Sequence, residues 1–381
     1  MQHSHESMPE KSSCGLVSVL QSGPPTHELL SMVVHEMLPR IDHRIGKIPL
    51  EEDGVTTLLG DGIGVALGVD PDSLREFMHL DREKQVGVGS VFIEKSFDDR
   101  EAFFAWVKAE AQKNGFLIRN GDIQEAPMDV SHFPKSIQKI SPSMYLIFFA
   151  NLEKDDPDRF RRRCYDFQQL LECELETRHA EDSVRVVSFA PDVLHLKGLG
   201  DAADLWKTWH EILGDQRLRI FMAIGHGRFT TSRSTRAFRA QPLSMSVHNG
   251  DDPTNEKSVL LASHLQRRLR AKGEKAKLVS PRESDSGAIN RILQRRFFEF
   301  LQIYQDSAVA MVAANMMLFP PAHNVKFTRV NKDMASWLDY VRRHTAVKIG
   351  GTIGLISFLG QMIVAKVDAL AQRDIVVVRK K

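Results

Sequence analysis

Cysteine is scarce in this 381-residue sequence, which contains only Cys14, Cys164 and Cys173. Three cysteines, with no Cys-x-x-Cys pair among them, predict neither a disulfide framework nor a zinc or iron–sulfur motif. We therefore expect no metal site in this chain and a reducing, cytoplasmic setting.

The sequence also lacks a strong net charge. Its 51 basic and 49 acidic residues leave a formal net charge of +2. Such a balance provides no overall field that would attract nucleic acid or anionic lipid. We expect neither of them as a partner.

Long apolar runs are missing, with one near exception. Residues 349–365 carry no charge over 17 positions, which is at the lower limit for crossing a bilayer. Four glycines interrupt this run, and glycine marks turns rather than membrane helices. The segment therefore predicts two buried strands, not a transmembrane helix.

The first 13 residues are polar and have no apolar core, which excludes a secretory signal. They are expected to be a leader or propeptide, with one domain over residues 14–381. Cys14 then has two interpretations. A lone cysteine is usually a small buried hydrophobic residue; if the leader is removed, Cys14 becomes the first residue and its thiol lies beside its own α-amino group.

Blocks of strand-like and helix-like sequence, with no internal repeat, predict one α+β domain rather than two. Thr26 is expected to cap a helix that ends at Pro39, and one long helix is expected over residues 287–310. The arginine run 161–163 is expected to form a solvated face, offset by nearby acidic residues, rather than a phosphate site. Three strands after residue 352 are expected to close the sheet.

Four short motifs follow one another along the chain: Cys14-Gly15, Gly-His-Gly-Arg-Phe-Thr-Thr at 225–231, His-Asn-Gly at 248–250 and Ser-Asp-Ser at 284–286. Each is weak alone, because Asn-Gly is usually a turn and a loop arginine is usually a surface charge. Their order and spacing resemble the class II glutamine amidotransferases, whose nucleophile is N-terminal, and most closely the glutaminase domain of glutamate synthase. Further segments support that resemblance: 42–44, 59–64, 88–92 and 193–199.

The resemblance implies a role for each motif residue. Cys14 would be the nucleophile, with its own α-amino group as the base. The side-chain amide of Asn249 and the backbone N–H of Gly250 would form the oxyanion hole. Arg228 would bind the substrate α-carboxylate, assisted by Thr231, and Asp285 would bind the α-ammonium group.

The implied fold is a four-layer αββα sandwich of N-terminal-nucleophile hydrolases. The implied activity is that of a glutaminase subunit that converts L-glutamine to glutamate and ammonia for a synthase subunit on a separate chain, similar to glutamate synthase or N-methylglutamate synthase. No cofactor is expected in this chain; FMN and an iron–sulfur cluster would belong to the partner. The sequence departs from the family at Gly227, where glutamine is usual, and after residue 250.

Two alternatives remain open at this point. One is a regulatory or assembly subunit that keeps the fold, retains its leader and is catalytically silent. The other is an N-terminal-nucleophile amidase for a different amide. The presence of both Arg228 and Asp285 favours an amino-acid substrate over that second alternative, because the two residues would bind the two charged ends of an amino acid.

Overall fold

The structure is a computed structural model that describes residues 15–21, 23–80, 84–228, 237, 240–249, 255–279, 285–316, 351–357, 361–367 and 376–380. In parts of these ranges, including Asn249 and Asp285, the backbone alone is described. Cys14, Thr231 and Gly250 lie outside the described residues.

Strands and helices alternate in blocks along the described chain. The strands are β1 Gly15–Gln21, β2 Lys47–Glu52, β3 Val55–Gly60, β4 Ile63–Val69, β5 Val86–Ile93, β6 Phe116–Leu117, β7 Ile123–Glu125, β8 Ser143–Asn151, β9 Val184–Ala190, β10 Val193–Gly198, β11 Ile220–Gly227, β12 Ser246–Asn249, β13 Gly351–Ser357, β14 Gln361–Val367 and β15 Val376–Lys380. The α-helices are α1 His27–Met32, α2 Pro71–Met78, α3 Arg100–Lys113, α4 Lys135–Ile140, α5 Pro157–Thr177, α6 Ala202–Leu213, α7 Asn255–Ala271, α8 Asp285–Tyr304 and α9 Ser307–Met316.

Two five-stranded sheets organise the fold. The first has the order β10-β4-β11-β1-β15, antiparallel except for the parallel pair β1 and β15. The second has the order β6-β8-β5-β9, with β7 also paired to β8. A three-stranded sheet β12-β13-β14 and the hairpin β2-β3 complete the set. The architecture is therefore α+β with mainly antiparallel sheets, as expected from the sequence.

Apolar side chains on the two faces of the first sheet enter different cores. Val17 and Val19 of β1 pack in a core shared with α1, α2, α6 and the second sheet. Leu16, on the opposite face of β1, packs in a core built largely by α8 and α9. A third core lies between the second sheet and helices α3 and α5. This two-residue alternation is the one that extended strands impose.

The helix starts follow local chemistry that the sequence displays. The side chain of Thr26 accepts a hydrogen bond from the Leu29 amide at the start of α1. The Asp156 side chain accepts from two amides at the start of α5, where Pro157 is the first helical residue. Both are residue types that satisfy otherwise unpaired N–H groups at helix N-termini. The predicted cap at Thr26 is confirmed.

The predicted helix end at Pro39 is wrong. After α1 the chain continues through a π-helical turn, Val33–Met37, into a 3₁₀ helix, Leu38–Arg44. Pro39 lies at the start of that 3₁₀ helix, where a missing N–H leaves no hydrogen bond unmade. Proline therefore marks a change of helical type here rather than a stop.

The single helix predicted over 287–310 is two helices. α8 begins at Asp285 and ends at Tyr304, and Gln305 adopts a left-handed backbone with φ +52°. The side chain of Asp306 then accepts a hydrogen bond from the Val309 amide at 3.1 Å, which starts α9 afresh. The apolar periodicity continues across the break, so the sequence pattern did not reveal where α8 ends.

The arginine run on α5 is not a solvated face. Arg161 is buried and pairs with Asp158 at 2.9 Å and with Asp192 at 3.6 Å. Arg163 pairs with Asp155. The expected offset by acidic residues is correct, but burial of the helix turns these ion pairs into internal ones. Burial raises the pKa of Asp192 to about 7 although the Arg161 guanidinium opposes this shift.

The uncharged run 349–365 contains strands, as predicted: β13 and most of β14 lie within it. Their position differs from the prediction. β13 pairs with β12 and β14 pairs with β13 in a separate sheet, and of the three strands only β15 joins the first sheet, beside β1. Within the described ranges, no helix combines the length and the apolarity needed to cross a membrane.

Gly64 in β4 packs closely against the backbone of Gln241, and a substitution can test this contact. A Cβ at Gly64 would overlap the carbonyl oxygen of Gln241, whereas a Cβ at Gly198 in the adjacent β10 would lie 3.9 Å from Leu205 and Thr208. We expect Gly64→Ala to lower the free energy of unfolding by about 1–3 kcal/mol. Gly198→Ala, the control in the same sheet, should change it by no more than about 1 kcal/mol. Urea unfolding measures both; equal effects would contradict the close approach.

Candidate active site

Four strand ends line up at one edge of the first sheet. Gly198 of β10 pairs with Ile63 of β4, Ile63 pairs with Gly227 of β11, and Gly227 pairs with Gly15 of β1. Arg228 directly follows this row in the sequence, and Cys14 directly precedes it. Gly15, the first described residue after Cys14, is therefore paired with Gly227, the residue that directly precedes Arg228.

The last pair of this row, Gly227 and Gly15, consists of two glycines because apolar side chains lie against both. A Cβ at Gly15 would be 2.5 Å from the Cβ of Ile41, and a Cβ at Gly227 would be 2.6 Å from Cγ1 of Ile45. Real Cβ atoms do not approach other carbons so closely. The departure at Gly227 thus has a local cause: the chain after the 3₁₀ helix packs directly onto the end of β11.

Arg228 is held from its backbone and its side chain. Its amide donates to the Gly62 carbonyl at 2.8 Å, and its carbonyl accepts from the Gly46 amide at 3.0 Å. Its guanidinium Nη1 lies 3.5 Å from Oδ1 of Asp61. The Asp61 carboxylate is fully buried, while 11% of the Arg228 side chain is exposed. A buried anion thus lies behind a guanidinium that keeps a small accessible surface.

His195 connects β10 to the segment that leads into β12. Its ring nitrogens lie 3.0 Å from the Ser188 hydroxyl oxygen and 3.0 Å from the Leu243 carbonyl oxygen. Because a carbonyl can only accept, Nε2 carries the proton and Nδ1 accepts from Ser188. Burial, helped by the nearby Lys197 ammonium, lowers the pKa of His195 to about 3. His195 is therefore a neutral donor to the 243–246 segment.

The strand that ends at Asn249 packs against β1, one of the strands of this row. β12 pairs with β13, with Asn249 opposite Thr352, and it contacts β1 and α8. Asp285 is the first residue of α8. The backbone thus connects the strand that ends at Asn249 to the helix that begins at Asp285 and to β1, which pairs with the strand that leads into Arg228. The proposed contributions of Cys14, Thr231 and Gly250 fall outside the described residues and stay predictions.

The other two cysteines are poor nucleophiles. Cys164 is buried, and its burial raises the pKa of its thiol well above the usual value. Burial also raises the pKa of Cys173. A thiolate is the reactive form, so a raised pKa makes both less reactive. Among the described residues, no group of three or more His, Cys, Asp or Glu side chains is arranged to hold a metal.

Comparison with known proteins identifies the family of the chain. The family described as class II glutamine amidotransferases matches residues 14–373, nearly the whole chain. The chain belongs to this family. It is therefore a glutamine amidotransferase, and the matched region begins at Cys14.

The relatives are glutamate synthases at low identity. This amidotransferase is 25% identical over 248 residues to the large chain of the NADPH glutamate synthase of Azospirillum brasilense, covering 64% of the chain and 16% of that protein. It is 24% identical over 255 residues to the chloroplastic ferredoxin-dependent enzyme of Oryza sativa subsp. japonica, covering 65% and 15%. Against the NADH enzyme of Saccharomyces cerevisiae, identity is 21% over 351 residues, covering 87% and 15%.

Two residues at the site had no assigned role in the sequence reasoning. Asp61 and His195 occur in segments that support the family resemblance, yet nothing in the sequence indicates what they contact. The ion pair with Arg228 and the hydrogen bond to Leu243 both join positions far apart in the chain. The one signal in the sequence is the position of His195 between two apolar residues, in Leu-His-Leu at 194–196.

The low pKa of His195 predicts a pH-dependent contribution to stability. The unfolded histidine takes up a proton near pH 6.5, whereas the folded one does so near pH 3. Stability from His195 is therefore complete above pH 6.5 and is lost as the pH falls toward 3. Between pH 6.5 and 5 we expect a loss of about 2 kcal/mol in the free energy of unfolding.

Urea unfolding of wild type and His195→Gln at the two pH values measures this loss as the change in their difference. His210→Gln, which removes an exposed histidine from α6, serves as the control and should leave the wild-type pH dependence in place. A pH dependence that is equal in His195→Gln and wild type would show that His195 is not the neutral donor described.

Proposed function

We propose that this chain is a glutaminase that hydrolyses L-glutamine to glutamate and ammonia, with Cys14 as the nucleophile. The observation that carries the proposal is the register of β1 and β11, which sets the residue after Cys14 opposite the residue before Arg228. A thiol nucleophile near a mostly buried guanidinium suits a substrate that has both an amide and a carboxylate.

The reaction follows from these groups once the bond between Ser13 and Cys14 is cut. The free α-amino group, with an ordinary pKa near 8, takes the thiol proton. The Cys14 sulfur attacks the side-chain amide carbon of glutamine, and the negative charge on the carbonyl oxygen is stabilised by donors from Asn249 and Gly250. Ammonia leaves with the transferred proton, and water hydrolyses the thioester to release glutamate.

Substrate selection would come from the two charged ends of glutamine. Arg228 offers a planar fork that matches a carboxylate through two hydrogen bonds, and Thr231 assists it. Asp285 pairs with the α-ammonium group. The buried Asp61 carboxylate holds the Arg228 guanidinium in orientation before substrate arrives.

The product ammonia would pass to a synthase subunit on a separate polypeptide, as in glutamate synthase or N-methylglutamate synthase. The chain spans about a sixth of the length of the curated relatives it matches, and their names describe glutamate synthases. We propose that FMN and an iron–sulfur cluster belong to that partner, that the chain works in the cytoplasm, and that the whole domain forms a four-layer αββα sandwich.

One test of the proposed function concerns Cys14. Intact-mass analysis of the untagged protein should show loss of residues 1–13, and the processed protein should release ammonia from glutamine. Cys14→Ala should abolish that release, whereas Cys173→Ala, the control for a thiol elsewhere, should retain it. A retained leader with no hydrolysis, in a chain that still assembles with a partner, would support the silent regulatory subunit instead.

A second test concerns Arg228. Arg228→Lys keeps the charge but loses the two-pronged carboxylate contact, so we expect kcat/KM for glutamine to fall about 10- to 100-fold, mainly through KM. Arg219 is a matched control, because it directly precedes β11 and pairs with Asp70 and Glu76 at the opposite end of the strand. Steady-state kinetics in which Arg219→Lys and Arg228→Lys behave alike would contradict the proposed substrate contact.

A further inference from the structure

A buried amide network joins helix α8 to the segment that runs into β12. Asn290 Oδ1 accepts hydrogen bonds from the Met245 amide at 3.2 Å and from the Ser246 hydroxyl at 2.9 Å. Asn290 Nδ2 donates to the Ser244 hydroxyl oxygen at 2.9 Å. That hydroxyl in turn donates to Oε1 of Gln294, one turn further along α8, at 3.2 Å.

The network is closed to solvent. Asn290 is 4% exposed, and all of its partners are buried as well. Buried polar groups that lose a partner carry the full cost of desolvation, so such a network holds its members in one geometry. A primary amide suits this place because it accepts two hydrogen bonds on its oxygen while it donates through its nitrogen.

The two elements joined in this way are those of the proposed chemistry. α8 begins at Asp285, five residues before Asn290. β12 begins at Ser246, which contacts Asn290 directly, and ends at Asn249. The segment before β12 is also held by the hydrogen bond that His195 donates to the Leu243 carbonyl.

We propose that Asn290 is a positioning residue that holds the strand carrying the oxyanion donor Asn249 at its working distance from the helix carrying the ammonium ligand Asp285. This inference rests on the proposed glutaminase function. α8 is also held by the apolar core through Ile289, Leu293 and Phe297, whereas the Asn290 amide contacts the entry to β12 itself. Loss of the amide should therefore displace β12 more than α8.

The test is the effect of Asn290→Ala on glutamine hydrolysis, expressed per processed chain as counted by intact mass. An oxyanion donor acts in the transition state, and a displacement of about 1 Å at such a site can cost about 100-fold. We therefore expect kcat to fall about 100-fold while KM for glutamine changes less than about threefold. Asn290→Asp, whose carboxylate can still accept from the Met245 amide and the Ser246 hydroxyl, should recover at least about tenfold of that loss.

Asn151→Ala is the matched control. Asn151 is also a buried asparagine, and its amide donates to Gln85 at 2.7 Å and to Asp155 at 3.1 Å, at the end of β8 in the second sheet. Both alanine variants should lower the melting temperature by several degrees, but Asn151→Ala should keep the wild-type kcat.

The outcomes separate this inference from the function on which it rests. If the processed wild type hydrolyses glutamine and Asn290→Ala does so at the wild-type kcat, the network is structural only and the inference is wrong. The inference is also wrong if Asn290→Ala and Asn151→Ala lose kcat equally. A processed wild type that releases no ammonia from glutamine would contradict the proposed function, and the inference with it.

Discussion

The antiparallel register between β1 and β11 is the constraint on which the candidate site depends. Once Gly15 is paired with Gly227, the residue before β1 and the residue after β11 leave the sheet at the same edge. A shift by one residue would turn Val17 and Val19 away from their core and would move the strand end relative to Arg228. The register is enforced by packing, because Ile41 and Ile45 leave room only for glycine at the paired positions.

A second constraint is the way in which buried polar groups connect separate elements. Asp61 lies behind Arg228, His195 holds Leu243, and Asn290 holds the next residues of the same segment. Each of these groups is buried, so each would be costly without its partner. Met245, just before β12, also packs in the core that α8 and α9 build. Polar contacts from β10 and α8 act together with this apolar packing to hold the start of β12.

Local rules explain much of the fold. A threonine or aspartate before a helix, a proline in its first turn and alternating apolar residues in strands act within a few positions. The cap at Thr26 was predicted correctly on this basis, and the start of α5 at Asp156 follows the same rule. The errors occurred where distant packing overrides a local preference or where a local break interrupts a continuous apolar pattern. Pro39 continues a helical path under the first sheet, and the helix after Asp285 breaks at Gln305 although its apolar pattern runs on. Arg161 is internal because Asp192, 31 positions later, meets it.

The sequence by itself determined the α+β class and the order of four motifs that indicate a class II glutamine amidotransferase, because motif chemistry and strand periodicity are written within short stretches of the chain. The tertiary structure alone decided that Asp61 pairs with Arg228, that His195 is neutral, and that Asn290 links α8 to β12. These facts depend on burial and on contacts between residues that are far apart in sequence. Desolvation and hydrogen bonding between such residues exist only after the sheets and helices have packed.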